Sequence, residues 1–126
     1  MNYALFLDDY RNPEGTMNSW RNDWIIVRSY DKAVNVVKHY GLPLYIAFDH
    51  DLNDEHYDSF EAGARGEKTG YSFAKWFCDY IMENDLTLDD SFGYFVHSMN
   101  PVGAKNIDMY MKNFLRDIYK HPEYTK

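Results

Sequence analysis

The sequence predicts an α/β fold, with a parallel sheet of about four strands flanked by helices in a three-layer arrangement. Four short apolar runs lack the alternation of half-exposed strands and are typical of buried parallel strands. These runs are Tyr3–Leu7, Trp24–Val27, Leu44–Phe48 and Phe92–Val96. Segments with helical periodicity follow the second, third and fourth runs. Strands that alternate with helices in this way indicate a parallel, layered sheet.

Three segments carry the predicted helices. The first is Asp31–Tyr40, and the second holds the apolar positions between Tyr71 and Met82. The last begins at Asn100-Pro101, because asparagine is a favoured N-cap and proline fits the first helical position. Cys78 falls on the apolar stripe of the second helix, so we predict a core residue there rather than a nucleophile.

Length and composition narrow the class of protein. The chain has 126 residues, the length of one domain, which we predict to span residues 1–126. Its 45% apolar and 18% aromatic content excludes a disordered chain. The formal net charge of −7 disfavours binding to long double-stranded nucleic acid, whose phosphates it would repel. The apolar runs are too short to span a bilayer, and the single cysteine fits a reducing compartment. We therefore expect a cytoplasmic protein without membrane contact.

Polar clusters directly follow three of the four predicted strands. They are Asp8-Asp9, Asp49-His50-Asp51 and His97-Ser98-Met99-Asn100. Taken singly, each cluster is typical of a turn, a cap or a hydrogen-bonded structural residue. The carboxyl ends of parallel strands meet at one edge of a sheet, however, where ligands bind in open α/β proteins. The sequence therefore predicts one shared site that all three clusters form.

Metal binding is the first chemistry that these clusters suggest. Carboxylate oxygens are the ligands that hard divalent cations prefer. We predict that Asp8, Asp9 and Asp49 hold Mg²⁺ or Mn²⁺, with Asp51 as a further carboxylate nearby. A mixed set of imidazole and carboxylate ligands would also suit Mn²⁺ or Zn²⁺.

Acid–base catalysis is the second chemistry, and it does not exclude the first. His50 and His97 are predicted to act as a general acid and a general base. Asp49 or Asp51 would orient an imidazole and raise its pKa. The sequence does not decide which histidine is the base.

A phosphate site is predicted at the start of the last helix. The N-terminus of a helix presents free N–H groups and the positive end of the helix dipole, which suit a phosphate. A glycine in the first turn lets a ligand approach the backbone, and nearby polar side chains supply donors. The predicted phosphate-binding residues are Arg11, Ser98, Asn100, Gly103 and Lys105.

Several blocks of the sequence resemble one known family. The blocks are Leu5-Phe6-Leu7-Asp8-Asp9 with Arg11 and Pro13, Phe48-Asp49-His50-Asp51-Leu52, Thr69-Gly70-Tyr71, and His97-Ser98-Met99-Asn100-Pro101-Val102-Gly103 with Asn106-Ile107. Together they resemble the cyclic-phosphate processing receiver domains. The resemblance implies a receiver-like fold and a role in processing cyclic phosphates, in RNA-end repair or in bacterial and phage conflict systems. Two departures from the family stand out: Asn53 replaces an expected glycine, and the acidic loop Asp54–Lys68 is longer than usual.

These observations favour a phosphoesterase that hydrolyses a cyclic phosphodiester, either a cyclic nucleotide or a 2′,3′-cyclic phosphate RNA end. The loop Asp54–Lys68 is predicted to be mobile and to flank the site as a lid. One alternative is a non-catalytic protein that sequesters a cyclic nucleotide signal. Another is a phospho-accepting signalling receiver with Asp49 as acceptor. The second alternative is disfavoured, because the sequence shows four strands and no lysine that ends a fifth.

Overall fold

The computed structural model describes residues 2–13, 21–52 and 68–120. The four strands are β1 (Ala4–Leu7), β2 (Trp24–Val27), β3 (Tyr45–Phe48) and β4 (Gly93–Val96). The three helices are α1 (Tyr30–Tyr40), α2 (Gly70–Glu83) and α3 (Pro101–Lys120). None of the helices in these ranges has both the length and the apolar character needed to cross a membrane. Asn53 and all of the predicted lid except Lys68 lie outside the described residues.

The strands form a parallel sheet with the order β2-β1-β3-β4. The four residues Val27, Leu7, Phe48 and Val96 lie side by side as the last row of the ladder. Each strand lies within one residue of its predicted bounds, a difference that strand ends commonly show. The predicted fold, a four-stranded parallel sheet flanked by helices in a receiver-like α/β arrangement, is confirmed.

One face of the sheet carries the hydrophobic core. Leu5 and Leu7 of β1 pack there with Ile46 and Phe48 of β3, because alternate residues of a strand point to the same face. All three helices contribute fully buried side chains to the same cluster, among them Val37, Phe77 and Met111. In the described ranges, the helices therefore lie together on this face of the sheet.

Cys78 lies in this core, as the sequence predicts. Its side chain is 3% exposed, and its sulfur lies 3.9 Å from the sulfur of Met111. Burial raises the pKa of the Cys78 thiol, which keeps the group protonated and unreactive. The cysteine therefore stabilises the packing of α2 against α3.

The second face of the sheet is covered differently. Phe6 is fully buried and makes an edge-to-face contact with Trp24, with ring centroids 5.5 Å apart. Trp24 contacts Tyr45 in the same geometry, and the Arg21 guanidinium lies over both of those rings. Within the described ranges, side chains rather than a helix form the layer on this face, so the second helical layer of the predicted three-layer arrangement is not among these residues. Phe6 thereby becomes a rigid apolar surface beneath the carboxyl edge of the sheet.

The start of α2 is fixed against the end of β3. Thr69 caps the helix in a reciprocal pair with Ser72, and the Gly70 N–H donates a 2.8 Å hydrogen bond to the His50 carbonyl. A Cβ atom on Gly70 would lie 1.9 Å from the carbonyl oxygen of Asp49. Glycine is therefore required here, and the close approach positions the segment that carries Asp49 and His50.

Candidate active site

The four strands each continue by one residue into a polar row. Backbone hydrogen bonds extend the ladder, from Asp8 N–H to Val27 O, from Asp49 N–H to Leu7 O and from His97 N–H to Phe48 O. Arg28 takes the equivalent position after β2. The last row of the ladder faces the helices, and successive side chains of a strand point to opposite faces. The polar row that follows therefore points toward the second face of the sheet. The structure thus brings Asp8, Asp49 and His97 together at the carboxyl edge.

Asp8 is the centre of this group. Its Oδ2 accepts hydrogen bonds from Arg11 Nε at 2.9 Å and from His97 Nε2 at 3.0 Å. Its Oδ1 accepts from the backbone N–H groups of Tyr10 and Arg11. Burial alone would raise the pKa of Asp8, but the hydrogen bonds from His97, Arg11 and Tyr10 and the Arg11 charge lower it well below its usual range. Asp8 is therefore an ionised carboxylate, and it accepts a hydrogen bond from the Nε2–H of His97.

His97 is held on two sides. Its ring stacks on Phe6, with centroids 4.9 Å apart and planes 11° apart, and its side chain is 6% exposed. Nδ1 is buried without a hydrogen-bond partner among the described residues. With the proton on Nε2, Nδ1 is left as a proton acceptor. The carboxylate that orients this imidazole is Asp8, whereas the sequence suggests Asp49 or Asp51.

Arg11 lies between two carboxylates. Besides its contact with Asp8, its Nη2 lies 3.5 Å from Asp49 Oδ2. Burial and the negative charge of Asp8 raise the pKa of Asp49, and the charges of Arg11 and His97 offset part of that rise. The predicted phosphate-binding guanidinium is thus engaged by carboxylates in this structure.

The predicted metal ligands form a compact group. Asp8, Asp9 and Asp49 each offer a carboxylate oxygen, and these oxygens all lie within 4.8 Å of one another. Asp8 and Asp49 are buried, and Asp9 is half-buried. Three oxygen donors at this spacing suit a hard divalent cation. The group could therefore hold a metal ion, and the identity of that ion is not fixed by the geometry.

A second Asp–His pair lies on the side of the sheet edge nearest α3. His50 Nδ1 contacts Asp51 Oδ1 at 2.7 Å, and Asn100 Nδ2 donates to the same oxygen at 3.3 Å. The hydrogen bond from His50 is the main reason that the pKa of Asp51 is lowered. Asp51 is thus the carboxylate that orients this ring, and it is one of the two that the sequence suggests. In the described part of the chain, His50 Nε2 has no hydrogen-bond partner, so it is the ring nitrogen open to a ligand.

The His50 ring packs on the first turn of α3. A Cβ atom on Gly103 would lie 2.3 Å from His50 Cγ. We expected Gly103 to make room for a phosphate, but the structure shows that it makes room for this imidazole instead. The Gly103 N–H is also taken, because it donates to the Asn100 side chain at 2.9 Å. The helix start is therefore less open to an anion than the sequence indicates.

The two remaining predicted phosphate ligands, Ser98 and Lys105, have different surroundings. Ser98 Oγ accepts the Asn100 N–H at 3.0 Å, which leaves its hydroxyl proton free to be donated. Lys105 is exposed and lines a groove between β4 and α3 with Tyr94 and Asp108. No contact in the described ranges joins Lys105 to the carboxylates or histidines, so the structure does not bring it to the site.

Sequence reasoning missed two residues. Arg28 binds the carbonyls of Asp8 and Arg11 and the side chain of Asn12, and so fixes the loop after β1. It follows β2 directly, so the rule that selected the other strand ends would also have selected Arg28. Phe6 supports the His97 ring, but its place in an apolar run gave no signal of that role.

The Asp8 contacts predict a loss of stability in acid. Because the folded-state pKa of Asp8 lies below its unfolded value, its contribution to the free energy of unfolding is complete above about pH 5. Below roughly pH 4 the contribution declines progressively, and it is lost as the pH falls through the folded-state pKa. We expect the contribution of Asp8 at pH 7 to be about 2 kcal/mol. Urea unfolding at pH 7 and pH 3 should show that the free energy of unfolding falls more for wild type than for Asp8→Asn. Asp49, whose raised pKa contributes the opposite slope, keeps only part of that rise in Asp8→Asn, because the Asp8 charge is one of its causes.

The control for this measurement is Asp51→Asn. The pKa of Asp51 is also lowered, but its side chain is 62% exposed, so solvent screens the effect. Between pH 7 and pH 3, the free energy of unfolding of this variant should therefore fall by nearly as much as that of wild type. An Asp8→Asn protein that loses as much stability in acid as wild type would contradict the prediction.

Fold and site together define a receiver-like α/β domain with an acidic, histidine-bearing carboxyl edge. The sequence model of the cyclic-phosphate processing receiver domain matches residues 3–113, most of the chain. The protein therefore belongs to this family, as the sequence blocks indicate. Comparison with curated proteins and with solved structures gave no match.

Proposed function

We propose that this protein hydrolyses a cyclic phosphodiester, either a cyclic nucleotide or a 2′,3′-cyclic phosphate RNA end. The observation that supports the proposal is the presence of two Asp–His contacts at the carboxyl edge, His50 with Asp51 and His97 with Asp8. Each contact leaves one ring nitrogen without a partner among the described residues. The family's link to cyclic-phosphate processing supports the class of substrate.

The reaction needs two proton transfers, which the two histidines can divide. Water attacks phosphorus and forms a new P–O bond, while the bond from phosphorus to one ring oxygen breaks. His50, oriented by Asp51, accepts the proton of the water at Nε2. His97, whose Nε2 donates to Asp8, would enter the reaction with a second proton on Nδ1 and pass that proton to the leaving oxygen. The product is a phosphate monoester with a free hydroxyl.

The other residues of the proposal bind the phosphate and a cation. Asp8, Asp9 and Asp49 would hold Mg²⁺ or Mn²⁺, which polarises a phosphoryl oxygen when bound. Ser98 and Arg11 would contact the phosphate. The proposed setting is the cytoplasm, with a small cyclic-phosphate ligand or an RNA end as the partner, in RNA repair or phage–host conflict.

The proposal predicts ring opening that depends on a divalent cation. We would incubate the protein with 3′,5′- and 2′,3′-cyclic nucleotides and with RNA ending in a 2′,3′-cyclic phosphate. Chromatography and phosphorus NMR would detect the monoester product. Adding Mg²⁺ or Mn²⁺ should support turnover, and EDTA should abolish it. Full activity in EDTA would contradict the cation part of the proposal.

The same assay separates the alternatives. Tight binding of a cyclic nucleotide without any product would favour a protein that sequesters the signal. A stable phosphate on Asp49 after incubation with acetyl phosphate would favour a signalling receiver. The burial of Asp49 beneath the Arg11 contact disfavours that last outcome, because a phosphate donor must reach its carboxylate.

A further inference from the structure

The guanidinium of Arg11 contacts two of the three carboxylates of the acidic group. Its Nε and Nη2 contact one oxygen each of Asp8 and Asp49, at 2.9 and 3.5 Å. These two carboxylates belong to the set of three whose oxygens lie within 4.8 Å of one another. A metal ion bound to the same oxygens would therefore meet a positive charge already in place.

The Arg11 backbone is anchored by contacts that do not involve its guanidinium. Its N–H donates to Asp8 Oδ1 at 2.8 Å, and its carbonyl accepts from Arg28. The Arg11 side chain is 23% exposed, whereas the Asp8 side chain that it contacts is fully buried. A rotation of the side chain alone can therefore move the guanidinium out of the acidic group and leave the loop after β1 unchanged.

We propose that Arg11 is the resident cation of this pocket, and that its guanidinium and a divalent ion are alternative occupants of Asp8 and Asp49. The proposal rests on the cation part of the proposed function and adds a condition to it. Arg11 leaves the carboxylates when the ion enters, and only then is it free to bind the phosphate of the ligand. The residue predicted to bind phosphate and the site predicted to bind metal are thus coupled.

Metal binding without any substrate tests this exchange. We would titrate Mn²⁺ into wild type and Arg11→Gln at pH 7 and follow free Mn²⁺ by electron paramagnetic resonance. Arg11→Gln should bind one Mn²⁺ at least about 10-fold more tightly than wild type, because the competing charge is gone. Adding Asp49→Asn to Arg11→Gln should remove the gain. Equal affinities in wild type and Arg11→Gln, or no Mn²⁺ binding in either, would overturn the proposal.

Arg21→Gln is the matched control. Arg21 also forms an ion pair with an aspartate, Asp23, at 2.6 Å, and it lies over the aromatic layer of the second face. Its removal changes the net charge by the same amount as Arg11→Gln. We expect its Mn²⁺ affinity to equal that of wild type. A gain as large as that of Arg11→Gln would show a general charge effect and would overturn the exchange.

Nuclear magnetic resonance of the unaltered protein gives a second test that needs no variant. The side-chain Nε–H signal of Arg11 reports its hydrogen bond to Asp8, and that of Arg21 serves as reference. Mg²⁺ should shift the Arg11 signal and leave the Arg21 signal in place. The backbone signal of Asp49 monitors Mg²⁺ binding in the same titration. The proposal would be overturned if the Asp49 signal did not move. It would also be overturned if the Asp49 signal reached saturation while the Arg11 signal stayed in place. Turnover is not measured in either test, so the hydrolysis proposal stands or falls separately.

Discussion

Replacing His97 with glutamine lowers the turnover of the cyclic phosphodiester roughly 10²–10⁴-fold, the usual contribution of one acid–base group. Glutamine retains an N–H that can donate to Asp8 Oδ2, as His97 Nε2 does at 3.0 Å. It cannot carry a proton to the leaving oxygen. Ligand affinity should therefore stay nearly unchanged while kcat falls. Steady-state kinetics and direct ligand binding measure the two quantities separately.

The pH profile and a surface histidine provide the controls. Wild type should show a bell-shaped dependence of kcat on pH, whose limbs belong to the His50 and His97 system as a whole. His97→Gln should lose one limb. His39→Gln should behave as wild type, because His39 is exposed on α1 and packs on Tyr40. Wild-type turnover in a folded His97→Gln protein would contradict the acid–base role.

Gly70→Ala is expected to cost about 3 kcal/mol of the free energy of unfolding, a large effect for one methyl group. The new Cβ would lie 1.9 Å from the Asp49 carbonyl oxygen, which is backbone and cannot rotate away. Moving the start of α2 would break the 2.8 Å hydrogen bond from the Gly70 N–H to His50 O. Alanine itself favours helix, so the loss comes from the clash alone. Urea unfolding measures it.

Gly103→Ala is the informative comparison for this variant. Its Cβ would also overlap a neighbour, but that neighbour is the half-buried His50 side chain, which can swing aside. We expect stability close to wild type together with reduced turnover, because His50 leaves its position beside Asp51. A Gly70→Ala protein within 1 kcal/mol of wild type would show that the α2 junction adapts more easily than its geometry indicates.

The sheet and its polar edge could be predicted because they follow from local rules. Continuous apolar runs marked the four strands, and the pairing of parallel strands placed Asp8, Asp49 and His97 in one row. The same rule, that the residue directly after a parallel strand lies at the carboxyl edge, would also have placed Arg28 in this row. Sequence was sufficient wherever the answer depended on strand periodicity and on which residues follow each strand.

The contacts within the site could not be predicted in the same way. Which carboxylate pairs with His97 depends on how far each side chain reaches across the neighbouring strand, and a sequence does not record that reach. Arg11 could be assigned to a phosphate or to carboxylates with equal chemical reason; the structure shows the carboxylates. Gly103 likewise has two uses, and the ring that occupies its open side belongs to His50, far away in the chain.

The order in which the strands join the sheet has a consequence for synthesis. Asp8 and His97 are separated by 89 positions. The strand that places His97, β4, is the last of the described strands and lies at one end of the sheet. A nascent chain can pair β1, β2 and β3 before β4 leaves the ribosome, and in that state Asp8 lacks its imidazole. The proposed reaction thus begins only when the whole sheet is complete. Unfinished chains would leave the cyclic phosphate untouched.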